Sequence, residues 1–248
     1  MQFAQLMVRN SNVIVHRANA LLAALNADDF ARLERHMRVV PLAHQQVLAD
    51  AGHELEDAYF PHSGAISLMA AMREGGYAEI TTVGPEGVAG LEEMLGAAAM
   101  PSRVLVQVAG VGTRIPIRPL RAALEQSATF RALTHRYIRA TFVQLGQSVA
   151  CNGLHSVEQR FARWLLMAHD HARRDTFDLT QALLAEMLGV HRPSVTVVAR
   201  MMQSAGLIRY SRGVITVTNR KGLEATSCEC YGVVRRAFQE IFAGRREA

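Results

Sequence analysis

The sequence has little cysteine, no long apolar run and no obvious catalytic set. Three cysteines occur in 248 residues, Cys151, Cys228 and Cys230, and none precedes position 151. That is too few for a disulfide framework and suits a reducing compartment. No stretch approaches the roughly 20 apolar residues a membrane span requires, and Met1-Gln2-Phe3 opens no signal peptide with a cationic start and apolar core. A cytoplasmic protein with no membrane partner is expected. Cys228-x-Cys230 and His169-x-His171 lack both the CxxC spacing of zinc ribbons and the i, i+4 spacing of helical zinc ligands. The thiols read as buried and inert, no metal site is expected, and without a nucleophile–base set the chain is not read as an enzyme.

What is present is an ordinary globular composition, 50% hydrophobic by residue type, on a chain long enough for one large or two modest domains. The formal charge is +5. Its distribution says more than its size. Residues 1–155 hold 13 Arg and 13 Asp plus Glu, whereas residues 156–248 hold 14 Lys plus Arg and 9 Asp plus Glu. The excess of positive charge therefore sits in the C-terminal part, as phosphate neutralisation would need.

That part contains the most informative stretch, Asp178 to Val217. Thr180 can cap a helix over Gln181 to Leu188, Gly189 falls where a left-handed C-cap residue belongs, and Pro193 fits the first turn of a second helix. Two short helices joined by a glycine turn make a helix-turn-helix. On the second helix Val195, Val198 and Met202 can pack inward, while Arg192, Thr196 and Arg200 recur every fourth residue on another face. An Arg at such a helix start matches O6 and N7 of guanine, and Ser194 and Thr196 can bond to phosphates or bases. Gly206 stops the helix, and Leu207-Ile208-Arg209-Tyr210 and Val214-Ile215-Thr216-Val217 flank Ser211-Arg212-Gly213 as a hairpin. The candidate DNA contacts are Arg192, Pro193, Ser194, Thr196, Val197 and Arg200, with Thr180, Gln181 and the hairpin-tip Arg212.

Upstream, Ala20 to Val39 reads as helix, with Asn26 or Asp28 able to cap a second turn. From Pro41 short β-prone runs follow: 46–48, 58–60, 65–69, 77–83, 103–108 and 112–117. Turns are placed at Gly52, Gly64, Gly75-Gly76 and Gly84-Pro85, and the spacing suggests an antiparallel sandwich or barrel. Helix returns at Phe130 to Asn152, where Ile138, Phe142, Leu145 and Val149 form one apolar stripe and Leu133, Tyr137 and Ala140 a neighbouring one. Such a helix can face its own domain and a twin at once. Cys151-Asn152-Gly153 is the expected hinge, and a helix over Val157 to His171 leads on. Cys228 and Cys230 are placed on a helix after the hairpin.

Thr180-Gln181, Leu188-Gly189-Val190, Arg192-x-Ser194-Val195, Gly206-Leu207-Ile208 and the Arg212-Gly213 hairpin resemble the winged helix of the cyclic-AMP receptor and fumarate-nitrate regulator (Crp/Fnr) family. Tyr59-Phe60-Pro61-x-Ser63-Gly64 and Gly87-Val88-Ala89-Gly90-Leu91 sit where that family's cyclic-nucleotide-type β-roll has matching segments. The resemblance implies an α+β protein: a jelly-roll-like sensor β-roll over 1–125, a dimerisation helix and hinge over 126–155, and a winged helix-turn-helix over 156–248. It implies a homodimeric transcription regulator with double-stranded DNA, RNA polymerase and a small-molecule effector as partners. The alternative is a sensor module whose winged helix contacts protein.

Two departures from the family pattern carry consequences. Gly87, Val88, Gly90, Leu91, Ser102 and Arg103 occupy the places of the cyclic-nucleotide cassette, but Val88 cannot accept from a ribose hydroxyl and the Ser102-Arg103 order is reversed. Cyclic AMP is not the expected effector. Another ligand in the roll, a second site, or a sensor without a ligand remain open, and the cofactor is unknown. Pro193 stands where the family most often has Glu, so the half-site is expected to keep a guanine for Arg192 and differ elsewhere.

Overall fold

The computed structural model describes residues 15–73, 75–97 and 101–243. Two short helices open this part, α1 (Ala20–Ala24) and α2 (Ala27–Glu34). The single helix expected over 20–39 is broken because Asn19 and Asn26 each cap a separate start: Asn19 accepts from the amides of Leu21 and Leu22, and Asn26 from that of Asp29. Leu25 between them is extended. Val39, expected to be helical, lies in strand β1 (Arg38–Leu42).

Strands β2 (Val47–Ala49), β3 (Asp57–Ala71), β4 (Tyr77–Val83) and β5 (Ser102–Pro116) complete an antiparallel sheet of order β1-β5-β3-β4, with β2 also on β5. The runs 58–60 and 65–69, read as two strands about a turn at Gly64, belong to one strand of 15 residues. Runs 103–108 and 112–117 likewise merge into β5, with Ile117 passing to the next helix. Glycine marks a bend here rather than a turn. The β3–β5 register shifts between Pro61 and Ile66, Gly64 adopts φ +86°, and a Cβ there would sit 2.5 Å from the Val108 carbonyl oxygen. These bulges curl two long strands into a roll, whose interior is filled by Leu42, Ile66, Leu68, Val83, Ala89, Val104 and Val106.

Gly90 leads into a single turn, α3 (Leu91–Met94). After β5, α4 (Ile117–Gln126) meets α5 (Ala128–Leu154), whose N-cap Ser127 accepts from the Phe130 amide and donates to Asp29. The two stripes of α5 have different fates. Leu133, Tyr137 and Ala140 are buried against α1, α2 and α4, whereas Phe142 and Val149 are 70% and 76% exposed.

The expected hinge at Cys151-Asn152-Gly153 is displaced, since α5 runs helically through Gly153 to Leu154. The chain breaks at His155, which is extended, and Ser156 starts α6 (Val157–Ala172) through a reciprocal capping box with Gln159. Helix α6 is the spine of the second half. Phe161, Leu165 and Leu166 are fully buried in a cluster reaching from Ala65, Met69, Leu105 and Val108 of the roll to Leu184, Val195 and Ile215. Roll and C-terminal head thus share one core.

Two helices of the head, α7 (Gln181–Leu188) and α8 (Arg192–Ser204), are followed by α9 (Arg220–Thr226) and α10 (Cys230–Ala243). Cys228 lies in the link between the last two and Cys230 opens α10, so the cysteines do not share one helix. Helix α10 folds back along α5: Arg136 Nε donates to the Ile241 carbonyl, and the rings of Tyr137 and Phe238 lie 6.1 Å apart.

Candidate nucleic-acid interface

Helix α7 (Gln181–Leu188) starts where Thr180 Oγ1 accepts from the Leu183 amide and stops at Gly189, whose φ of +59° releases the chain into the turn. Helix α8 (Arg192–Ser204) follows, with Pro193 in its first turn. Val195, Val198 and Met202 are buried against α6 and α7, at roughly 1.5–3 kcal/mol of burial each. The inward face therefore fixes which side of α8 meets solvent.

That outward side carries Arg192, Pro193, Ser194, Val197 and Arg200, all exposed. Val197 and Met201 are 56% and 49% exposed, unusual for apolar residues on a helix whose other face is core. Thr196 is half-buried and donates to Gln181 Oε1 at 2.8 Å. Thr196 and Gln181 thus set the angle between the two helices as well as bordering the surface. Arg160 donates to the Leu188 carbonyl, satisfying the end of α7 from α6.

Strands β7 (Ile208–Ser211) and β8 (Val214–Val217) form the hairpin as expected. Arg212 and Gly213 both have positive φ, 49° and 79°, the two-residue turn whose twist suits a hairpin. Arg212 is exposed at the tip and Arg209 on the flank. The sequence reading missed two features. Strand β6 (Thr176–Asp178) pairs with β8 and makes the wing three-stranded; three residues are too few to show a period. Arg209 lies inside the apolar run 207–210, and strand alternation turns it outward.

The six residues of the nucleotide-like cassette are not brought together. Gly87, Val88, Gly90 and Leu91 lie beside the start of β3, where Ala89 bridges to Tyr59. Ser102 and Arg103 pair with Ala70 and Met69 at its far end. The Val88 amide donates to Tyr137 Oη and the Tyr137 hydroxyl contacts the Val88 carbonyl. Burial raises the Tyr137 pKa beyond its ordinary value, so the phenol stays neutral. Arg103 is engaged by Asp50 at 2.8 Å and lies over the Tyr77 ring. A different cleft, of about 270 Å³, opens where roll, α5, α6 and α10 meet, lined by Glu86, Met167, His171, Arg173, Phe238 and Phe242 among others.

Comparison with known proteins agrees with this architecture. Residues 159–226 match the model of the Crp-like helix-turn-helix domain. No curated protein is matched by the sequence. Among solved structures, one assigned to the Crp/Fnr family of transcriptional regulators from Eubacterium rectale is similar over 85% of this chain and 98% of its own, at 18% identity and TM-score 0.63. FixK2 from Bradyrhizobium japonicum is similar over 77% and 98%, at 14% identity and TM-score 0.64. A Crp-family transcriptional regulator from Thermus thermophilus, TTHB099, is similar over 76% and 96%, at 20% identity and TM-score 0.58. Residues 159–226 are therefore a Crp-like helix-turn-helix domain, and the chain as a whole has the fold of these solved Crp/Fnr regulators.

Proposed function

We propose that the protein is a homodimeric transcription regulator that reads a palindromic operator in the major groove. The observation that carries this reading is the face of α8: Arg192, Ser194, Val197 and Arg200 point to solvent from a helix whose opposite side is core. Arg192 would fork onto a guanine, Val197 would meet a thymine methyl, and Arg209 and Arg212 of the wing would contact phosphates. The exposed stripe of α5, with Phe142 and Val149, supplies an apolar seam for a second copy. Two heads held this way would enter grooves about 34–36 Å apart.

Cyclic AMP is not the proposed effector. The Val88 backbone is bonded to Tyr137, Arg103 is occupied by Asp50, and the roll interior is packed with aliphatic side chains. The cleft around His171 and Phe238 is the better place for a small molecule, because a ligand there would touch roll, long helix and last helix together.

A protein-binding winged helix is the second reading, and the exposed Val197 and Met201 favour it. Salt separates the two. Binding to duplex DNA should weaken steeply as salt rises, because neutralised phosphates release counterions. Operator-independent binding with a flat salt dependence would leave the protein-binding reading in possession.

A further inference from the structure

Three thiols and an imidazole meet at the junction of α5, α6 and α10. The Sγ atoms of Cys151, Cys228 and Cys230 and a ring nitrogen of His155 all lie within 4.8 Å of one another. Cys151 Sγ is 3.5 Å from Cys228 Sγ, and Cys230 Sγ is 3.5 Å from His155 Nδ1. A tetrahedral zinc with the usual bond lengths places its sulfurs about 3.8 Å apart and sulfur about 3.6 Å from nitrogen. We propose that Cys151, His155, Cys228 and Cys230 form a mononuclear metal site of the zinc class that fastens the head to the end of the long helix.

The alternative is a buried cluster of inert thiols, and burial alone fits it: Cys151 and Cys230 are fully buried and Cys228 is 4% exposed. Three features go beyond apolar packing. The outer nitrogen of the imidazole, Nε2, lies 3.3 Å from Glu229 Oε2, the carboxylate–histidine pairing that orients a ligating imidazole and fixes its tautomer. Gln147 Nε2 donates to Cys230 Sγ at 3.1 Å, as amides do toward thiolates. Three thiolates, a neutral imidazole and a dication leave a net charge of −1, and Arg163, itself buried, acts electrostatically on Cys151, as does Arg160.

All four ligand atoms lie too close together to serve separate irons of a multinuclear cluster, so one ion fits. Sulfur-rich tetrahedral donors select zinc among the abundant divalent ions. On binding, each of the three thiols gives its proton to solvent as its metal–sulfur bond forms. The sequence alone points to no metal site, because neither Cys228-x-Cys230 nor His169-x-His171 has a ligand spacing. The pair that matters is Cys151 and His155, at i, i+4 across the end of α5, with its other half contributed from beyond the wing.

The test uses the full chain, reduced and stripped of metal, titrated with cobalt(II) alone and then zinc(II). The expected result is an intense thiolate-to-cobalt absorption with tetrahedral d–d bands, saturating at one equivalent and bleached by one equivalent of zinc. Cys228→Ser should lose about a third of the charge-transfer intensity, one of three cobalt–thiolate bonds, and at least 100-fold in affinity. Should that variant fail to fold, Glu229→Gln, altered at an exposed side chain, should fold and still bind roughly 10–100-fold more weakly. A folded wild-type chain with no such band overturns the proposal. So does equal affinity in wild type and Glu229→Gln. None of these readouts depends on DNA binding.

Discussion

His171 Nε2 on α6 lies 3.1 Å from Glu86 Oε1 on the loop after β4, an ion pair that ties the head to the roll. The imidazole packs so closely on the loop that a Cβ at Gly84 would clash with its Cδ2, Cγ and Nε2 atoms. Burial opposes both charges, yet each partner sustains the other: Glu86 lifts the His171 pKa above its ordinary value, with Asp170 and Glu79 adding to the effect, and His171 holds Glu86 below its own.

A pH dependence follows with a definite sign. His171 has a raised folded pKa, so its contribution is complete below its unfolded value of about 6.5 and is lost as pH rises through the folded value. Glu86 has a depressed folded pKa, so its contribution is present above about 4.3 and is lost as pH falls through the folded value. The pair should stabilise most between those limits and fade on the alkaline side. Thermal unfolding against pH should show that alkaline loss in wild type and a flatter curve in Glu86→Gln, which should be destabilised by about 1–3 kcal/mol at pH 6.

Phe142→Glu should leave the subunit's fold intact, since Phe142 is 70% exposed. It should place a carboxylate in the proposed seam. We expect the dimer dissociation constant to rise tenfold or more, about 1.4 kcal/mol, measured by sedimentation equilibrium, with operator affinity falling in step.

Arg192→Ala and Arg212→Ala should separate base reading from phosphate contact. Arg192→Ala should cost about 1–3 kcal/mol and relax preference at one base pair of each half-site. Arg212→Ala should weaken all sequences alike and lower the salt slope by about 1. Fluorescence anisotropy with operator and scrambled duplexes over a salt series distinguishes the two patterns.

Gly64→Ala should destabilise the roll by more than about 2 kcal/mol. The new methyl group would meet the Val108 carbonyl oxygen at 2.5 Å in a backbone with φ +86°, adding a clash to conformational strain. Denaturant unfolding gives the value. Gly153→Ala, in a helical and open position, should be neutral or slightly stabilising.

The head was legible because its signals are local. Thr180, Gly189, Pro193, Gly206 and Arg212-Gly213 each fix one backbone event within a few residues, and the structure places each as read. The two apolar stripes of α5 were legible from period alone, but not that Phe142 and Val149 stand exposed while Ile138 and Leu145 are half-buried. The roll was harder, since Gly64 reads equally as a turn or as a bulge until its partner strand is known. The break at Asn26 turned on which of several polar residues wins a cap. Least legible were contacts between remote segments: His171 with Glu86, α10 along α5, and Cys151 and His155 with Cys228 and Cys230. These arise from tertiary closure: Cys151 and His155 do stand at i, i+4, but nothing local ties that pair to Cys228 and Cys230.

The most direct test of DNA reading by α8 is selection from a pool of random duplexes by the purified protein at near-physiological salt, followed by sequencing of what is retained. An enriched inverted repeat is expected, whose half-sites carry a guanine that Arg192→Ala no longer selects. Retention without enrichment, or enrichment of a single unrepeated site unaffected by Arg192→Ala, would contradict it.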